Sequence, residues 1–270
     1  MNFKILKATF KRNFIMQLRA YPKDFFIGNT LTGIYTVLSA FFMYQLLFKG
    51  NLDDTFKAYS GTGDYMSYVI VGTALYLFVV RTCLNVSRSL ITELREGTLD
   101  SLMIAPFNRI QYFCGNMLQQ TITTSFEIIV MIVISLFFGA DFSHINFLSF
   151  IIGFVFSLFA YFSLSLVLAA VMLYFRDTYI SQNTLFALMF LVCGVTFPIE
   201  YLPVPLQYLG KLLPVTASFD IIRNSTISGI GILEQVNSFS YLIILSAIYC
   251  VLGFTLLKRV EKIALEKIFA

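Results

Sequence analysis

The chain has 270 residues, 58% of them hydrophobic and only 13% charged, with a mean hydropathy of +0.79 and a net charge of +4. A soluble domain carries about 25% charged residues, so the composition excludes an ordinary soluble fold. It describes a polytopic membrane protein, and one membrane domain is enough for the length.

Residues 1–24 predict an amphipathic interfacial helix rather than a span. Phe3, Leu6, Phe10, Phe14, Leu18 and Tyr21 recur every three or four residues, and Lys4, Lys11, Arg12, Arg19 and Lys23 fall mostly on another face. Such a helix lies in the headgroup region and is drawn to anionic lipid. Lys7, Ile5 and Ile15 depart from the pattern, and Pro22 ends or turns the helix. The first long apolar run starts near Phe25 and lacks a small-residue cleavage site, so no cleavable signal is expected.

Residues 25–270 are expected to form one membrane domain, all α-helical, with six apolar runs near the ~20 residues a bilayer requires. They fall at about Phe25–Phe48, Asp64–Val80, Gln111–Phe138, Asn146–Leu173, Ser181–Phe197 and Phe239–Leu257. Loop charge sets their orientation. Of the 19 Lys and Arg, 15 lie in the N-terminal segment, the 81–110 and 174–180 loops and the C-terminal tail; Lys49, Lys57, Lys211 and Arg223 lie on the other side. Both termini are therefore expected in the cytoplasm of a cell whose inner (plasma) membrane holds the protein.

The 91–108 loop, ITELREGTLDSLMIAPFN, then faces the cytoplasm. Gly97 breaks the preceding helix. Thr98 is placed to cap a new one, and Asp100 sits in its first turn, where the helix dipole favours an anion. Leu99, Leu102 and Met103 share a face, and Pro106 stops the helix by pushing Ala105 out of the α region. The expectation is a short helix with an apolar contact face rimmed by Glu93, Glu96 and Asp100, where a partner's motion can enter.

Further along, Glu127 sits well inside the third run. An ionisable group at membrane depth marks a function by default. Two readings stay open: a pathway group, or a glutamate tying two helices with help from Thr123, Thr124 or Ser125. The fourth run offers Gly153, Ser157, Ala160, Ser163 and Ala169 for close helix packing. Arg176 and Asp177 after it read as a local ion pair at the interface.

The stretch from Gly194 to Gly231 is too apolar for a solvated loop, yet carries Pro198, Pro203, Pro205 and Pro214, which a continuous span would not tolerate. Short re-entrant helices on the outer side, over 198–231, fit better and point to a gate or cap. The charged tail from Lys258 predicts a helical extension, with Lys262 and Glu266 one turn apart.

Several chemistries are not provided for. There is no G-x-x-x-x-G-K-[ST], so no nucleotide is expected on a P-loop of this chain. One loop histidine, His144, and four scattered cysteines supply neither a metal set nor a catalytic triad. The cysteines read as small buried hydrophobes. An enzyme is disfavoured, no nucleic-acid partner is implied, and no internal repeat marks a secondary transporter.

Glu96-Gly97-Thr98-Leu99-Asp100, then Leu102 and Ala105-Pro106, resemble the E-G-T-[LF]-[ED]-x-L-x-x-[STA]-P segment of type-2 ABC exporter permeases. Asn183, Gly194, Phe197-Pro198, Leu202-Pro203, Pro214-x-Thr216 and Arg223 resemble that family's pre-gate pattern. The resemblance covers nearly the whole chain. It implies a half-transporter, expected as a homodimer, with two separate P-loop ATPase subunits that hold ATP and Mg; no cofactor is expected in this chain. It places coupling to the ATPase on the 91–108 segment, with Glu93, Glu96, Gly97, Thr98, Leu99, Asp100, Leu102, Met103 and Pro106 as the candidates, and a gate on Phe197, Pro198, Pro203 and Pro214; Glu127 joins the candidate pathway residues by its depth in the apolar run alone. The run from Gly194 to Pro203 is similar to drug and peptide exporters, which favours drug-, peptide- or lipid-type cargo. Arg176-Asp177 is similar to a turn of polysaccharide exporters, which keeps glycan cargo as the alternative. A gradient-driven carrier or channel using Glu127 is the second alternative.

Overall fold

The computed structural model describes residues 3–20, 22–23, 27–47, 49, 54–98, 101, 109–175 and 184–269. Among the described residues all regular structure is helical: α1 (Lys4–Ala20), α2 (Asn29–Phe42, continuing as a π-helix over Met43–Leu47), α3 (Asp54–Ser60), α4 (Tyr65–Arg95), α5 (Arg109–Phe137), α6 (Phe147–Phe175), α7 (Leu185–Val192), α8 (Val204–Leu212), α9 (Pro214–Thr226) and α10 (Val236–Phe269).

Four of these, α4, α5, α6 and α10, are long and apolar enough to cross a membrane. The first expected span appears as α2, 14 residues before its π-helical continuation. Of the fifth, α7 is described, whereas 176–183 lie outside the described residues, with Arg176, Asp177 and Asn183 among them.

The helix ends differ from the apolar runs in one instructive place. The second run is expected to stop at Val80, yet α4 continues to Arg95. Beyond Val80 the partly exposed side carries Arg81, Asn85, Arg88 and Thr92, whereas Cys83, Val86, Leu90 and Ile91 are buried together with the small hydroxyl residues Thr82 and Ser87. At about 1.5 Å per residue a helix of this length reaches ~46 Å, well beyond the ~30 Å hydrocarbon core. Its last turns therefore project past the apolar layer. The end of the bundle they reach, together with α1 and the tail of α10, is called the basic end below.

Helix α6 is the centre of one half of the molecule, packed on α10, α4 and α9; α5 carries α1, α2 and α4. Gly153, Ser157, Ala160, Ser163 and Ala169 of α6 are all buried. The buried hydroxyls of Ser157, Ser163 and Ser165 donate to carbonyls of their own helix, so no polar atom is stranded at these contacts. The exposed apolar faces, such as Ile129, Val133 and Phe137 on α5 or Ile244 and Val251 on α10, suit lipid. Prolines begin the short helices rather than break them: Pro203 precedes α8 and Pro214 is the first residue of α9, where a missing N–H costs nothing.

Candidate functional site

Of the residues expected to couple, Glu93, Glu96, Gly97 and Thr98 are described; Leu99, Asp100, Leu102, Met103 and Pro106 lie outside the described residues. Helix α4 ends in a Schellman turn. The Thr98 N–H donates to the Glu93 carbonyl at 2.9 Å and the Gly97 N–H to the Leu94 carbonyl at 3.3 Å, with Gly97 left-handed at φ 70°. Glu96 is exposed. Glu93 is not: it is 4% exposed and faces inward. Its carboxylate accepts from Arg12 of α1 at 2.7 Å, from the Tyr112 hydroxyl of α5 at 3.1 Å and from the Thr98 hydroxyl at 2.5 Å. The Schellman turn folds Thr98 back over the last turn of α4, so its hydroxyl donates to Glu93. Burial works against the Arg12 charge, but the bond to Glu93 and its negative charge outweigh burial and hold the guanidinium above its ordinary value.

The far side of the segment is fixed as well. Arg109, the first residue of α5, forms an ion pair with the buried Glu261 of α10. The 99–108 segment is thus flanked on one side by a turn tied to α1 and α5 and on the other by a residue tied to α10.

Beside the turn a cleft of about 560 Å³ opens between α1, α4 and α5. Arg81 and Glu96 both line it, so it runs roughly 22 Å along α4, from the basic end to the middle of the helix. A carboxamide network crosses it. Asn13 donates to Asn116, Gln119 donates to Gln17, and Asn85 donates to Gln119 at 3.2 Å and to Gln120 at 3.0 Å. At the inner end Arg81 pairs with Glu127 at 3.5 Å, and Glu127 is 1% exposed. The pair ties α4 to α5. The expected helpers act elsewhere: Thr123 and Ser125 donate to carbonyls of their own helix, and Thr124 accepts from Gln120.

At the opposite end the residues of the expected gate are brought near one another in part. Pro198 and Pro214 are buried, Phe197 is half-buried and Pro203 is exposed. The organising side chain is Arg223 of α9. It donates to the Tyr68 hydroxyl at 3.0 Å and to the Val195 carbonyl at 2.7 Å, and its guanidinium lies 3.7 Å from the centre of the Tyr68 ring. Gly72 permits this approach: a Cβ there would lie 2.1 Å from both Arg223 Nη2 and the Val195 oxygen. A cavity of about 280 Å³ adjoins, lined by Pro198, Asp220 and Arg223 among others. Within the loop joining α5 to α6, His144 is exposed.

Sequence reasoning missed the cleft. Its signal was present: Arg81, Asn85, Arg88, Thr92 and Glu96 recur every three or four residues, as do Tyr112, Asn116, Gln119, Thr123 and Glu127. The arginines entered only as charges for orientation, and the carboxamides not at all.

Residues 6–227 match the model of the family described as ABC-2 type transporter. The chain belongs to this family. ABC-2 membrane chains form a family of transport subunits, and the family generally partners with an ABC ATPase. Among curated proteins no match was found. With its four long apolar helices this ABC-2 chain is a multi-pass membrane permease.

Proposed function

We propose that this chain is the permease subunit of an ATP-driven exporter that moves a drug-, peptide- or lipid-like cargo out of the cytoplasm. Two copies enclose the pathway, and two separate P-loop ATPase subunits supply the energy from ATP and Mg. The basic end faces the cytoplasm of an inner (plasma) membrane. Helix α2 and the span that ends in α7 complete six spans beside the four long helices, and α8 and α9 form the re-entrant outer element. Phe197, Pro198, Pro203 and Pro214 then belong to the outer gate.

The observation that carries this reading is the pair of clamps on the 96–108 segment. Arg12–Glu93 joins its start to α1, and Arg109–Glu261 joins its end to α10. A push on Leu99, Leu102 and Met103 would reach both helices through ion pairs instead of dissipating in a loop. The Arg81–Glu127 pair speaks against the gradient-driven alternative, since a carboxylate held by a guanidinium is not a free proton relay.

The test is reconstitution of the chain with a P-loop ATPase encoded beside it in inverted vesicles. ATP-dependent uptake that disappears in Gly97→Pro, with the variant still folded in the membrane, is the expected result. Full transport by this chain alone, without ATP, overturns the reading.

A further inference from the structure

The cavity at the far end of the bundle from the cleft gathers charges of both signs that the protein leaves unmatched. It holds about 280 Å³, and Asp220 and Arg223 of α9, Glu200, Asn224 and Tyr59 are among its lining residues. Asp220 and Arg223 sit one turn apart on α9, a spacing at which opposite charges can meet. They do not pair. Arg223, only 7% exposed, turns instead to Tyr68 and to the Val195 carbonyl. Three of its five N–H groups find acceptors there; the Nε–H and one Nη1–H have none.

The carboxylates are equally uncommitted. Asp220 and Glu200 are accessible, and among the described residues neither side chain forms an ion pair or accepts a hydrogen bond. Glu200 is near enough to repel Asp220, and Lys211 to attract it. A simple cation bound here would leave the spare guanidinium donors unanswered, and a simple anion would meet both carboxylates. Arg223 and Lys211 balance Asp220 and Glu200, so the surroundings select a ligand that is neutral overall and carries both signs. Its charges must be several bonds apart to span a helical turn. Ethanolamine phosphate meets that need; an α-amino acid, whose charged groups share one carbon, does not. One exposed ring, Tyr59, is no aromatic cage for a quaternary ammonium. The two carboxylates and the Asn224 amide oxygen can accept from the three N–H groups of a primary one.

We propose that this cavity binds an ammonium–phosphate zwitterion, with the phosphate toward Arg223 and the ammonium on Asp220 and Glu200. That it opens on the outer face rests on the exporter reading; the ligand class rests on the cavity itself. The site lies away from the cytoplasmic loading end, so binding there does not require transport. Ethanolamine phosphate can reach it free in solution or as the headgroup of a phospholipid.

The test uses the full chain without ATPase or ATP, so it is decided separately from whether transport is ATP-driven. The chain is placed in nanodiscs of phosphatidylglycerol, which has no ammonium group. Glycerophosphoethanolamine is added in solution and read by calorimetry; phosphatidylethanolamine is added to the disc and counted by native mass spectrometry. Glycerol phosphate and ethanolamine, the two halves of the zwitterion, are the controls. At least one zwitterionic probe should bind, and each half alone should bind at least about tenfold more weakly. Asp220→Asn and Glu200→Gln should each weaken the zwitterion about tenfold, the loss of one charge-assisted hydrogen bond. Because neither carboxylate has a partner in the protein, both variants should keep the wild-type unfolding midpoint when no probe is present, which separates a lost contact from a lost fold. Binding of glycerophosphoethanolamine assigns a free ligand; binding of phosphatidylethanolamine alone assigns a lipid headgroup. Failure of both zwitterions to bind the wild-type chain overturns the proposal. So does binding of glycerol phosphate or ethanolamine as tight as that of the zwitterion, or zwitterion binding that both variants leave unchanged.

Discussion

Gly97 holds the left-handed φ of 70° that closes α4, and its N–H is bonded to the Leu94 carbonyl. Alanine there costs about 1 kcal/mol of local stability and should leave transport measurable. Proline, fixed near a φ of about −65° and without an N–H, cannot form the turn and should abolish ATP-dependent uptake in vesicles. At the other end of the molecule, Arg223→Leu would leave the Tyr68 hydroxyl and the Val195 carbonyl without their donor. The expected loss is roughly 3 kcal/mol, read as a lowered unfolding midpoint in detergent. Gly72→Ala should lower the same midpoint, because a methyl there meets the same guanidinium and the same carbonyl. Gly97 and Arg223 were legible in the sequence as members of motifs. That Gly72 makes room for Arg223 was not, since 151 positions separate them in the chain.

Helices meet through pairs that local patterning does not reveal. Arg81 and Glu127 join α4 to α5 at 3.5 Å. A double-mutant cycle over Arg81→Gln and Glu127→Gln should show a coupling of about 1–3 kcal/mol in thermal unfolding, with the double variant more stable than Glu127→Gln alone. An additive result would mean the pair ties nothing. Helix α1 seats on α5 where a Cβ at Gly115 would lie 2.9 Å from the Leu6 carbonyl and from Thr9. Gly115→Leu should therefore lift α1 and loosen the Arg12–Glu93 clamp. The expected readout is uncoupling, with ATP hydrolysis by the partner persisting while transport falls. The amphipathic stripe of α1 was plain in the sequence as a membrane-surface face. Its contact with α5 was not, because the same stripe serves lipid and protein equally well.

For the whole molecule, the charge distribution gives the topology to test. Single cysteines at the start of α1 and the end of α10, in a cysteine-free background, should both react from the cytoplasmic side with a membrane-impermeant reagent. A cysteine at the exposed His144 should react only from outside. Labelling of the two ends from opposite sides would overturn the six-span count. Sequence alone determined the membrane class and six apolar runs, four of which appear as long helices, together with the clustering of basic residues, because burial in lipid demands long apolar runs and every such run is local. The family was legible for the same reason, as its motifs sit in short contiguous stretches around Gly97 and Gly194. Only the tertiary structure decided where α4 really ends, that Glu93 turns inward to Arg12 and Tyr112, and that the carboxamides of three helices share one cleft. Those outcomes depend on which faces of distant helices meet, and an ion pair or a bonded carboxamide network exists only once both partners have been brought to the same place.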